Sequence, residues 1–125
     1  MENMLLSPIV KQAENFLIEF DEFYPFAYAV NSLNEIKSIG VYLDNEMPTS
    51  EEVLSFLTIV IKEGILKGEY IYAAICLDVL VTPPYLNNKM DSLEIKIIDL
   101  KETKIYYLPY RKTEKNKIDF LEMYS

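Results

Sequence analysis

Histidine and tryptophan are absent from this 125-residue sequence, cysteine occurs once, as Cys76, and glycine only three times. Without histidine there is no Ser-His or Cys-His nucleophilic machinery and no imidazole metal site; one cysteine excludes zinc clusters and disulfide frameworks. Cys76, on an apolar stretch with no base at known distance, reads as a small buried hydrophobe. Glycine-rich phosphate cradles are missing too, which excludes P-loop nucleotide hydrolysis. Asp44, Glu46, Glu51 and Glu52 fit no EF-hand spacing, so neither a metal nor a cofactor is expected. No apolar run approaches the ~20 residues needed to cross a bilayer. Residues 1–10 lack the basic and apolar regions of a signal peptide, and together with the lone thiol this points to a cytoplasmic protein without membrane contact.

Basic residues are scarce in one half only. Residues 1–60 hold two, Lys11 and Lys37, against ten acids, whereas residues 61–125 hold ten of each, so the net charge of −8 belongs to the first half. Such a field suits a basic partner and disfavours nucleic acid, because phosphate binding needs a net basic footprint. The run Arg111–Lys117 is therefore read as a solvated loop. Half the residues are apolar, enough for one compact core, and residues 1–125 are expected to form a single domain.

Ser7-Pro8 makes a good helix start, and Ile9, Val10, Ala13, Phe16, Leu17, Phe20 and Phe23 then share one side of a 3.6-residue wheel. The spacing predicts a helix over about 8–22 that stops before Pro25. Two strands, about 26–31 and 35–43, follow with a turn at Asn31–Asn34. Thr49 and Glu52 have capping-box spacing at the start of a second helix, whose stripe of Val53, Leu54, Phe56, Leu57, Val60, Ile61 and Ile65 is wide enough to pack on more than one side. Gly64 suits close approach to a sheet, and Lys67-Gly68 suits a stop.

Tyr70–Val81 reads as a central strand: its odd positions are wholly aliphatic, its even positions (Tyr70, Tyr72, Ala74, Cys76, Asp78, Leu80) mixed. Strands over about 91–100 and 104–110 follow, with 117–124 either strand or helix. The order α-β-β-α-β-β-β with short connections predicts an α+β fold: a mainly antiparallel sheet of five or six strands with both helices on one face.

The segments Glu22-Phe-Tyr-Pro-Phe-Ala27, Ala73-Ala-Ile-Cys-Leu-Asp-Val79 and Leu108-Pro-Tyr-Arg111 resemble those of a group of small bacterial proteins of unassigned function. In size and acidity the group is similar to immunity proteins that sit beside bacterial toxins. That resemblance implies a protein partner, a basic toxin, and carries over no catalytic residue.

Two constellations stand out from the residues themselves. Asp78 is a carboxylate in an apolar central strand, so it must reach solvent or be held by hydrogen bonds. Strand alternation places Tyr70, Tyr72, Tyr106 and Tyr110 on its face, where aromatic bodies with polar tips would form a docking surface, a dimer seam or a ligand cleft, unless the C-terminal segment folds over them. Glu51 and Glu52 mark the acidic start of the second helix. A non-enzymatic protein-binding module, of the toxin-inhibitor kind, is the leading reading. A small-molecule site or modest enzyme around Asp78 and the tyrosines is the alternative, and a homodimer is a third possibility.

Overall fold

The computed structural model describes residues 3–40, 47–114 and 116–125. Two helices, α1 (Asn3–Phe20) and α2 (Ser50–Leu66), accompany six strands: β1 (Phe26–Asn31), β2 (Ile36–Ile39), β3 (Tyr70–Val81), β4 (Met90–Ile98), β5 (Thr103–Lys112) and β6 (Ile118–Phe120). The fold is α+β. The strands form one antiparallel sheet in the order β2-β1-β3-β4-β5-β6, so β3 is internal, as its two apolar faces require. The expected continuation of the second strand to residue 43, and the loop from 44 to 46, lie outside the described residues.

The helices do not share a face. Leu5, Ile9, Ala13 and Leu17 of α1 pack with Tyr72, Ala74 and Cys76 of β3, while Leu57 and Ile61 of α2 pack with Ala73, Ile75 and Leu77 of the same strand. Successive strand residues point to opposite faces, so the two helices sandwich the sheet. The expectation of both on one side fails because the even positions of β3 are small and apolar enough to seat a helix of their own. Alanines at 27, 29, 73 and 74 let backbones approach on both sides. The sheet curls round α1, which touches β1 and β3 and also reaches β6 at the far edge.

Local signals explain most element ends. α1 starts earlier than Ser7-Pro8 suggests and carries Pro8 inside it. The missing amide forfeits one helical bond near the start, and burial of Leu5 one turn below Ile9 offsets that loss. The helix closes at Asp21, in the left-handed region, whose amide still donates to the Leu17 carbonyl at 3.0 Å. At the β1–β2 turn Asn34 takes φ 67°, and the Asn31 side chain accepts from the Leu33 and Glu35 amides.

In α2 the capping box forms as its spacing predicts: Glu52 N donates to Thr49 Oγ1 and Thr49 N to Glu52 Oε1, both at 3.1 Å. At the other end Gly68 (φ 80°) donates to the Ile65 carbonyl and Glu69 to that of Gly64, the two bonds of a Schellman stop. The C-terminal segment resolves as strand β6, and an isolated bridge further along joins Tyr107 and Tyr124.

Candidate functional site

Asp78 and Tyr110 come together, as strand alternation suggests. They occupy β3 and β5 on the α1 side of the sheet, and the Tyr110 hydroxyl donates to Asp78 Oδ1 at 2.7 Å. Although Asp78 keeps contact with water, partial desolvation raises the carboxyl's hold on its proton. The neighbouring charges of Asp91 and Glu22 push the same way, while the Tyr110 bond and Lys112 oppose it. Burial and the bond to Asp78 likewise push the Tyr110 phenol up. The pair closes the core beside the end of α1, where Lys112 Nζ donates to the Asp21 carbonyl at 2.8 Å and pairs with its carboxylate. Lys112 thereby ties β5 to the helix terminus.

A carboxyl that binds its proton more tightly folded than unfolded contributes stability below its unfolded value, near 3.8, and that contribution is lost as pH rises through its higher folded value. Asp78→Asn keeps an acceptor for Tyr110 and removes the titration. Its stability relative to the parent should therefore be more favourable at pH 7 than at pH 3. Asp78→Ala removes the acceptor and should cost about 1 kcal/mol. Urea melts at both pH values read these outcomes, and an Asn-minus-Asp difference independent of pH would contradict the assignment.

The other candidate tyrosines disperse. Tyr72 and Tyr110 are buried in the core under α1, and Tyr106 is partly buried against the same core, so this face is not the open aromatic surface that alternation predicts. The C-terminal segment completes the cover, with Ile118, Phe120 and Met123 packed there. Tyr70 leaves the group altogether. Asn31 pairs with Tyr70 while its neighbour Val30 pairs with Tyr72, so Ile71 is an extra residue in β3. This β-bulge breaks the alternation and turns Tyr70 onto the α2 side, against Gly64. Glu51 and Glu52 are exposed on the first turn of α2, with Glu52 engaged in the capping box. Cys76 is buried, and desolvation holds its thiol well above the usual range.

An aromatic cleft of about 580 Å³ lies at the end of α1, lined by Phe16, Phe20, Glu22, Phe23, Tyr24, Pro25, Phe26 and Ser50. Phe16 is its centre: its ring lies 5.3 Å from Phe26, edge to face, 6.0 Å from Phe23 and 6.3 Å from Phe20. Such geometry makes a firm wall, because offset and edge-on ring pairs add to area burial. Two aromatics remain in water all the same: Phe20 is 59% exposed and Tyr24 50%.

The sequence wheel assigns Phe16, Phe20 and Phe23 alike to the buried side of α1. That side is already filled by Leu5, Ile9, Ala13 and Leu17, so the rings crowd at the helix end. The available signal was density: five aromatics among residues 16–26, more than one helix terminus can cover. The cleft also brings the Glu22–Phe26 segment beside Ser50, the first residue of α2, with Glu22 as the carboxylate in its lining. Chemically, exposed aromatic area in an acidic setting suits a ligand that is apolar and positively charged.

Among the described residues no group of three or more His, Cys, Asp or Glu side chains is placed to hold a metal ion, and no helix is long and apolar enough to cross a membrane. Comparison of the chain with protein-family models, curated proteins and solved structures gave no match.

Proposed function

We propose that this chain is a non-enzymatic protein-binding domain, an immunity-type inhibitor that holds a basic bacterial toxin in the cytoplasm. The aromatic cleft at the end of α1 would be its anchor site. The observation that carries this reading is that Phe20 and Tyr24, large rings left in water, line one cleft with Glu22 on the negative half of the chain. Buried aromatics dominate interface energetics, and a field of opposite sign speeds the encounter with a basic partner. The volume matches what a few apolar side chains fill. A segment with lysine or arginine next to a bulky apolar residue fits best.

The test uses short peptides of that composition, titrated at low salt and followed by calorimetry. Phe20→Ala and Tyr24→Ala, at positions half exposed or more, should each weaken binding about tenfold while the chain still folds, as a urea melt of each variant checks. Added salt should weaken it further. An acidic peptide of the same apolar content should not bind. If basic peptides fail to bind at low salt, or both variants bind as the parent does, the cleft is not the anchor.

The Asp78–Tyr110 pair supports a second reading, a small-molecule site, because its carboxyl holds its proton more tightly than usual. It is the weaker one, since each group already satisfies the other.

A further inference from the structure

The two exposed rings of the aromatic cleft flank its carboxylate. Phe20 ends α1, Glu22 follows two residues on and Tyr24 two after that, and all three line the same space. Among the described residues the lining holds no lysine or arginine, and Glu22 enters no ion pair. Lys112, the base at this helix end, is held by Asp21 instead. The ring planes are not parallel: Phe20 is tilted 41° to Phe16, and Phe16 stands at 79° to Phe26. A guest in the cleft therefore meets ring faces as well as edges. Ring faces attract cations, while a carboxylate without a partner repels anions and is costly to cover with a neutral apolar group.

We propose that the cleft selects arginine: the partner's anchor is a guanidinium that stacks on the Phe20 ring and forks onto the Glu22 carboxylate. This rests on the reading of the cleft as an anchor site and names the side chain that fills it. Arginine and lysine differ in the two features found together here. A guanidinium is planar and weakly hydrated, so it can lie on a ring face and still give two parallel hydrogen bonds to one carboxylate. Phe20 is suited to that stacking, because it is more than half exposed yet braced from behind by Phe16. A lysine ammonium is a compact, strongly hydrated point charge with three donors. On entering the cleft it gives up water for one carboxylate, since among the described lining side chains only the hydroxyls of Ser50 and Tyr24 add further acceptors.

Three peptides that share a bulky apolar residue and differ only in its neighbour, arginine, lysine or citrulline, are titrated onto the full chain by calorimetry at low salt. The arginine peptide should bind about tenfold tighter than the lysine peptide. Citrulline, planar but neutral, should bind no better than lysine. Glu22→Gln should weaken the arginine peptide about tenfold and bring arginine and lysine within about threefold of each other. Phe20→Leu keeps apolar bulk without a ring face and should narrow the arginine-to-lysine ratio as well. Glu51→Gln, at an exposed acid outside the lining, should leave the ratio as in the parent. Because the ratio is read within each variant, a general loss of stability does not imitate these results. Equal binding of the arginine and lysine peptides, a ratio unchanged by Glu22→Gln or Phe20→Leu, or one lowered as much by Glu51→Gln would each overturn the arginine assignment and leave the anchor reading standing. Failure of every basic peptide to bind would overturn both.

Discussion

Ile9→Ala and Ile61→Ala should each cost about 2–5 kcal/mol, and the double variant should lose the sum of the two. Both side chains are fully buried, Ile9 under α1 and Ile61 under α2. Each truncation therefore forfeits the transfer energy of the removed carbons and leaves a void that a close-packed interior closes only in part. Their independence is the more telling result. Ile9 packs on the face carrying Ala74 and Cys76, Ile61 on the face carrying Ala73 and Ile75, so the sheet backbone stands between the two voids. Layers pack about 10 Å from a sheet on either side, which puts the sites beyond the range over which substitutions couple. Urea melts at constant m should show additivity within about 0.5 kcal/mol. A coupling well above that value would mean that the helices share one core.

How much of this was legible depended on how local the controlling physics is. The α2 cap and its glycine stop read correctly from spacing, because a hydroxyl three residues from a carboxylate and a glycine one turn past an apolar stripe act within a single turn of chain. The antiparallel sheet followed from alternation along β3 and β4 together with short connections. The face occupied by each helix did not follow. An odd row of aliphatics looks more core-like than an even row of Tyr72, Ala74 and Cys76, yet the smaller residues leave the room into which α1 sinks.

One inserted residue, Ile71, was equally invisible, because a bulge is decided by the pairing of β1 with β3 across 40 residues of chain. It moved Tyr70 to the other face and emptied the expected tyrosine surface of one member. The cleft was missed for a related reason: a helical wheel assigns a side but not how far the sheet extends to cover it, and Phe20 lies past that limit. What the sequence reading retained of the site is the Asp78–Tyr110 pair and the acidic bias around Glu51 and Glu52.

Gly64→Ala should destabilise the chain by about 1–2 kcal/mol, although alanine is the better helix former. In an exposed helix the exchange would gain about 1 kcal/mol, since glycine loses more backbone freedom on folding. Here a Cβ at position 64 would overlap the Tyr70 ring. Over-packing of that kind costs typically about 1–3 kcal/mol, because either ring or helix must move. Neither moves freely. The Glu69 amide donates to the Gly64 carbonyl at 2.8 Å, which fixes the helix end close to the start of β3, and the bulge fixes the direction of Tyr70.

The sign should therefore depend on the partner. Tyr70→Ala removes the obstacle, and in that background Gly64→Ala should become stabilising by up to about 1 kcal/mol. A thermodynamic cycle of the four chains in urea measures this reversal directly. If Gly64→Ala is stabilising in both backgrounds, the helix does not approach the sheet as closely as described. If it is destabilising in both, something other than the Tyr70 ring occupies the space above Gly64. Only the reversal is consistent with a glycine chosen so that an aromatic side chain, turned by one extra strand residue, can lie flat against the helix that follows β2.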